Sequence, residues 1–463
     1  MNEKKFKPCS RNQMLLLPVD LHEWLPEGHL AYFIIDLVAR LDLTAIYASY
    51  RGDGRGQPPY EPAMMTALLL YAYCVGQPSS RRIERECAED VAFRVIAANQ
   101  RPDHDSISEF RRRHLQALAG LFVQVLELCR EAKLVKLGHV ALDGTKVRAN
   151  ASKHKAMSFG RMKKKRDELE RLVAEMLAEA DRVDAEEDAL YGKGVRGDEL
   201  PPEFRKKADR LKKIDEAMAA LKEQARAEAE AAAEAARAKI AERERKAANG
   251  EPVRGHAPAV PDPEKAEPAD KAQRNFTDPD SRIMKTGATK SFEQCYNAQA
   301  AVDGECQVIV AARVTQAGND KEQLAPMVAA VKANTGAAPA TLTADAGYYS
   351  ESNVRECEAR GIDPFLAVGR IKHGEAGPPV EDEPAADLSV KDRMQRKLLT
   401  ERGRTVYAKR KGTVEPVFGQ IKQARGLRQF LLRGLDNEAA EWDLWCLSHN
   451  LLKLYRFGGL PAG

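Results

Sequence analysis

The sequence predicts an α/β fold, with a mixed sheet flanked by helices, an all-helical region before it and a helical hairpin inserted into it. Three observations carry that prediction. Apolar residues at helical spacing fill the chain up to about residue 135. From His139 onward, short apolar strands alternate with amphipathic stretches, which is the pattern of an α/β sheet. Between the first of these strands and the rest lies a long run rich in Ala, Glu, Lys and Arg. The 463 residues allow two or three domains, and the 43% of hydrophobic residues suffices for ordinary cores.

The elements follow in order. Pro62 to Gly76 reads as an apolar helix stopped by glycine. Ser80 to Ala98 carries Ile83, Val91, Phe93, Val95 and Ile96 on one face. Ser106 and Glu109 form a Ser-x-x-Glu capping box opening the next helix, which bears Arg111, Arg112 and Arg113 and then Leu115, Leu118, Leu121, Phe122, Val125 and Leu126. Arginines near a helix start suit either a helix-turn-helix DNA reader or a dimerisation module. A strand follows at His139–Asp143, then Ala298–Val302 and Gln307–Val314 joined by an Asp303-Gly304 hairpin turn. A helix over 320–334, a strand at Thr341–Asp345, a helix from Glu351 to Arg360, a strand at Pro364–Val368 and helices over 391–425 and 437–456 complete the chain.

The expected division is therefore a helical region over 1–135, an α/β domain from 136–160 and 275–456, a hairpin over 161–248 and a flexible linker over 249–274. Residues 161–250 hold 22 basic and 22 acidic residues. Leu211, Ile214, Met218 and Leu221 form a heptad seam, so an antiparallel helical pair serving as a solvated spacer or protein–protein arm is expected. Its balanced charge argues against a polycationic DNA grip.

Charge placement says more than the net +4. Residues 391–433 carry 13 Lys or Arg against 3 Asp or Glu, a stripe able to meet phosphates. The eight cysteines form no C-x-x-C pair, which excludes a zinc ribbon. No apolar run reaches the ~18 residues of a membrane span, and no signal-like segment opens the chain, so a cytoplasmic protein with no membrane partner is expected, nucleoid-associated if it binds DNA.

Three carboxylates stand in distinctive frames. Asp143 is expected near a strand end, followed by Gly144, where a phosphate can approach, and then by Lys146 and Arg148. Asp345 has a similar setting, with Ala346-Gly347 and Tyr348-Tyr349 after it. Taken singly, either is as well explained as a turn or cap. Glu415 is placed in a first helical turn capped by Thr413, where Pro416 is tolerated, and Lys422 follows two turns later on the same face. That pair reads either as an ion pair or as a metal ligand beside a phosphate clamp, with Tyr407, Arg410 and Lys411 preceding it. Phosphodiester chemistry on two magnesium ions needs carboxylates rather than His or Cys, and no HxH or HExxH pair is present.

At these residues the chain resembles the DDE transposases of bacterial insertion sequences. The resemblance rests on Asp143-Gly-Thr-Lys, Thr-Ala-Asp345-Ala-Gly-Tyr and Glu415-x6-Lys422, together with Asn275–Arg282, Arg425–Gly434 and Leu447–Leu451, and spans roughly residues 40 to 456. It implies an RNase H-like core. It also implies binding of terminal inverted repeats and target DNA by a homodimer or larger assembly, DNA cleavage, and transfer of the 3′-hydroxyl strand. Asp143, Asp345 and Glu415 would hold two Mg2+, with Mn2+ as a substitute. Lys146, Arg148, Tyr407, Arg410, Lys411, Lys422, Arg425 and Arg428 would contact DNA, with Arg111, Arg112 and Arg113 doing so from the helical region. Asp278, Asp280 and Asp320 are read as caps or supporting groups. One departure stands out: four residues separate Arg410 from Glu415 where the family has three. Either Lys411 takes the arginine's place or a turn at Gly412 absorbs the extra residue. A structure-selective nuclease on the same fold and a catalytically decayed DNA-binding relic are the alternatives.

Overall fold

The computed structural model describes residues 20–50, 58–191, 202–250, 253, 255–286, 291–369 and 388–460. It divides into two compact units, one of residues 1–147 with 297–463 and one of residues 148–296. The expected boundary at residue 135 is not where this division falls.

The first unit opens with α1 (Leu30–Val38), α2 (Thr44–Tyr47), α3 (Pro62–Cys74), α4 (Ser80–Glu89), α5 (Val91–Ile96) and α6 (His104–Glu131). Pro62 occupies the first turn of α3, where its missing N–H costs nothing, and the Glu61 carboxylate accepts the Met64 N–H at 2.7 Å. Gly76 ends this segment at φ +76°, and a Cβ there would lie 2.5 Å from the Arg425 carbonyl oxygen, so both conformation and space require glycine. Helix α6 begins earlier than the Ser106 capping box suggests. Asp103 is its N-cap, accepting from the Ser106 N–H at 2.8 Å, while Glu109 pairs with Arg112 on its own helix. A carboxylate facing the N-terminal amides is favoured there by the helix dipole.

The second unit contains β2 (Ala156–Ser158), α7 (Phe159–Tyr191), α8 (Pro202–Ala248), β3 (Gln273–Asn275) and β4 (Arg282–Lys285). Leu169 of α7 packs with Ile214, Met218 and Leu221 of α8, the seam that the heptad spacing predicts. Arg166 meets Asp215 at 3.0 Å while Lys207 reaches Met176 at 3.5 Å, so the two helices run in opposite directions. From the segment expected as a flexible linker, two contacts reach α8. Arg226 pairs with Glu264, and Arg243 donates to the Gly255 carbonyl. Strand β4 pairs antiparallel with the opening residues of β5 (Phe292–Asp303), and β2 pairs with β3.

The sheet of the first unit runs β6-β5-β1-β7-β8, with β1 (His139–Arg148), β6 (Ile309–Thr315), β7 (Thr341–Ala344) and β8 (Asp363–Leu366). Strands β5 and β6 are antiparallel, whereas β1, β7 and β8 run parallel. This is the expected mixed sheet, and the fold is RNase H-like. Helices α9 (Leu324–Thr335), α10 (Glu351–Ala359), α11 (Val390–Leu399), α12 (Glu401–Gly419) and α13 (Leu435–Lys453) accompany it. The β5–β6 connection is longer than the expected two-residue turn. The Asp303 carboxylate accepts N–H groups from Leu137 at 2.8 Å and Glu305 at 3.0 Å, so it is committed to anchoring the start of β1.

Helix α13 is the centre of the first unit's core, packed on α6, α3 and β6. Trp442 and Trp445 are almost wholly buried, each contributing about 4–6 kcal/mol from ~150–250 Å² of ring. Trp442 also donates to the Gln299 carbonyl at 3.0 Å. Asn450 extends the sheet edge, donating to the Ile309 carbonyl and accepting the Ile309 N–H, both at 2.8 Å. Six of the seven described cysteines are buried and none is in a disulfide, as small apolar residues of a core.

Candidate active site

Register settles where the first two carboxylates stand. Strand β1 pairs in parallel with β7 so that Ala141 lies opposite Thr343. Asp143 and Asp345 each stand two residues beyond that pair, close enough for the Asp345 charge to act on Asp143. Asp143 lies mid-strand rather than at a strand end; it is β7 that stops short, at Ala344. Asp345 then caps the single turn Ala346–Tyr348, accepting the Gly347 N–H at 2.9 Å. The Asp143 side chain is only 21% exposed and accepts the Gly144 N–H at 2.9 Å. Burial pushes its carboxyl up to about 6, with Arg410 and the Gly144 N–H opposing and the negative charges of Asp345 and Asp320 adding to the rise.

The third carboxylate arrives differently from the sequence expectation. Helix α12 is continuous from Glu401 to Gly419 and is capped by Thr400. Glu415 therefore sits near its end, not in a first turn, and Thr413 bonds back to the Lys409 carbonyl at 2.9 Å as a residue within a helix. Pro416 inside the helix removes the amide that would have bonded the Gly412 carbonyl. Gln307 Nε2 supplies the missing donor at 2.7 Å. A proline that reads as a helix start is thus accommodated by a side chain remote in sequence.

Arg410 resolves the spacing departure. Its Nη1 lies 3.3 Å from Asp143 Oδ2 and its Nη2 lies 3.9 Å from Glu415 Oε1, with the side chain 11% exposed. Burial lowers its proton affinity, but Asp143, Tyr407, Asp345 and Glu415 outweigh burial and hold the guanidinium charged. Tyr407 places its ring 5.9 Å from the guanidinium carbon. Lys411 is exposed, and α12 makes no turn at Gly412, so neither of the two expected remedies is used.

After Gly419 the chain enters a π-helical turn, Gln420–Ala424. Lys422 is therefore not simply two α-turns beyond Glu415. Its Nζ donates to Thr145 Oγ1 at 2.7 Å and to the Lys146 carbonyl at 3.0 Å, which fastens this turn to β1 just past Asp143. Such π-turns recur at functional sites.

The remaining expected DNA contacts separate into two groups. Lys146, 18% exposed, lies 3.8 Å from Asp320 in the same site, while Arg148 is exposed in the second unit. Arg428, Arg112 and Arg113 are exposed, with partners in Gln423, Glu109 and the Ser49 carbonyl respectively. Arg425 and Arg111 are corrections. Arg425 is 6% exposed and donates to Ser448 Oγ at 2.5 Å and the Trp445 carbonyl at 3.4 Å. Arg111 is 5% exposed and donates to the Pro78 carbonyl and Ser80 Oγ, both at 2.6 Å. Both guanidiniums are spent inside the fold and leave the DNA-contact set.

Asp320, expected as a cap or supporting group, has its carboxylate beside Gly144 and Gly347. Beneath it, Asn297 and Gln299 of β5 place two buried amides at period-two spacing.

Among the described residues, no three His, Cys, Asp or Glu side chains already converge at metal-binding distance. The donor set nevertheless fits a hard divalent cation. Its side chains offer carboxylate oxygens, and the fold already stabilises one positive group, the Arg410 guanidinium, between Asp143 and Glu415. Residues 19–113 match a family model described as Transposase domain (DUF772), and residues 266–451 match one described as Transposase DDE domain.

The chain belongs to the DDE transposases.

The two matches together span more than half of this transposase, and Asp345 and Glu415 fall within the second. Asp143 falls in neither, so β-strand register is what joins it to the matched catalytic segment. No curated protein and no solved structure matches the chain. Among the described residues no helix is long and apolar enough to cross a membrane.

Proposed function

We propose that this transposase cuts DNA at the ends of its insertion sequence and joins the freed 3′-hydroxyl strand to target DNA. In this reading Asp143, Asp345 and Glu415 hold divalent metal, with Mg2+ as the working ion and Mn2+ as a substitute. Bound metal would supply activation of water and of the 3′-hydroxyl, and stabilisation of the leaving oxygen. The chain's own residues do the rest. Asp143 presents its carboxylate from β1, and Asp345 presents one from the residue that follows β7, the strand paired with β1. Arg410, poised between Asp143 and Glu415, can turn its fork to a phosphate once those carboxylates are neutralised. Lys422 holds the β1 backbone beyond Asp143 and brings a cation to the path of the scissile strand.

The observation that supports the reading is the parallel pairing of β1 with β7 just before Asp143 and Asp345, with Arg410 beside both Asp143 and Glu415. DNA binding, with inverted repeats and target bound by two or more protomers, belongs to the same proposal. So do the domain roles: recognition by the helical region, catalysis by the α/β core, and a spacer or assembly arm in the hairpin. The test is cleavage of element-end DNA in Mg2+ by wild type and Asp143→Asn. The variant should bind the ends and fail to cut, with at least about a thousandfold loss, equivalent to ~4 kcal/mol. Undiminished cutting would remove Asp143 from the catalytic set. Stronger nicking of unrelated branched DNA than of element ends would favour a nuclease.

A further inference from the structure

A fourth acidic side chain lies within this site. Asp320 follows β6, outside the three motif frames, and its side chain is 21% exposed. Its Oδ1 accepts from Asn297 Nδ2 at 2.6 Å and Gln299 Nε2 at 2.7 Å, both from β5. Lys146 of β1 lies 3.8 Å from the same oxygen. Asn297 and Gln299 are themselves wholly buried, so Asp320 is fixed from beneath by two immobile amides.

The carboxylate touches both aspartate frames. A Cβ on Gly144, the residue after Asp143, would lie 2.8 Å from Asp320 Oδ1 and 2.3 Å from Gln299 Nε2. A Cβ on Gly347, whose N–H donates to the Asp345 cap, would lie 3.4 Å from Asp320 Oδ2. The two glycines of the sequence motifs are thus the places where the backbone closes onto this one side chain. Tyr348, from the same turn as Gly347, donates to Gln299 Oε1 and completes the link. Asp320 therefore holds β1 and the Asp345 turn to a common support, in an arrangement too tight for even a methyl group at Gly144.

We infer that Asp320 is a positioning residue, which sets the separation of the Asp143 and Asp345 carboxylates and holds Lys146 over the site through its charge. The inference rests on the proposed metal-dependent reaction, and it assigns Asp320 to the support of the metal-holding oxygens rather than to direct ligation. Residues that orient metal ligands change metal affinity by about 10–100-fold when altered.

The test is Mn2+ binding to the full-length protein without DNA, followed by electron paramagnetic resonance, in wild type, Asp320→Asn and Asp143→Asn. Asp320→Asn keeps an oxygen for the two amides and removes only the charge and one acceptor, so it should fold with a wild-type melting temperature. It is expected to bind Mn2+ about tenfold more weakly. Its end-cutting should be impaired at limiting Mn2+ and recover at high Mn2+, a signature that a purely structural defect would not give. Asp143→Asn should lose binding outright. Wild-type Mn2+ affinity in Asp320→Asn, with Asp143→Asn inactive for binding, overturns the role of Asp320 alone. Failure of the wild type itself to bind Mn2+ overturns the metal site and this inference with it. Should Asp320→Asn fail to fold, Gly144→Ser, which displaces the same amides, must weaken Mn2+ binding in its place. Unchanged binding by Gly144→Ser would also overturn the inference.

Discussion

Arg410 and Arg425 make an instructive pair. They stand on neighbouring elements in one basic stretch, and both are largely buried, at 9% and 6% exposure. Arg410 faces Asp143 and Glu415, and these acids help keep it charged against the pull of burial. Arg425 faces Ser448 Oγ and the Trp445 carbonyl, and burial pushes it down to about 10. A buried arginine held by acids belongs to a site whose acids need a cation. One held by neutral oxygens belongs to the packing. Sequence composition treats the two alike; partners separate them.

The largest expected effect that would break this contrast is on catalysis. Arg410→Gln should reduce end-cutting by about a hundredfold to a thousandfold, as loss of a charge-stabilising donor does, while the melting temperature stays near that of wild type. Quantitative cleavage assays beside thermal melts read both. Arg425→Gln should do the reverse, losing roughly 2–3 kcal/mol of stability as buried partners go unsatisfied. Its cutting per folded molecule should be retained. Denaturant titration checks it, and a normally stable Arg425→Gln that fails to bind DNA would return Arg425 to the DNA contacts.

Gly144→Ala comes next. The added methyl would press on Gln299 and Asp320, and overpacking of this kind costs about 1–3 kcal/mol. Its unfolding midpoint should fall, with cutting impaired beyond what stability explains. The smallest effect is on pH dependence. The Asp143 carboxyl is raised from 3.8 to about 6 in the fold, so the folded state binds more protons across that window. Stability of the metal-free protein should therefore decline as pH rises from about 4 to about 6, by about 1–2 kcal/mol. Asp143→Asn should flatten that decline in melts taken across the range.

Much of the fold was legible because its signals are local. The apolar helix at Pro62, the strand–Asp345–Gly347 turn and the seam of Ile214, Met218 and Leu221 all follow from short-range spacing. What was hidden depends on distant partners. Pro416 reads as a helix start until Gln307 is seen completing the Gly412 carbonyl. Asp143 and Asp345 are separated by the whole second unit in sequence, and the pairing of β1 with β7 is what brings them near each other. Arg111 looks like a surface arginine on a helix until the Pro78 carbonyl is found at its end. The capping error has another cause: Asp103 and Ser106 are both good caps, and the chain uses the earlier one.

The central claim is that three carboxylates remote in sequence share one cation site. Bound Fe2+ with peroxide and ascorbate cuts polypeptide beside the metal, so fragment mapping reads that site directly. The account predicts cuts clustered near Asp143, Asp345 and Glu415 together, suppressed by excess Mg2+ and absent from Asp143→Asn. Cuts confined to one of the three segments, or unchanged in Asp143→Asn, would contradict it.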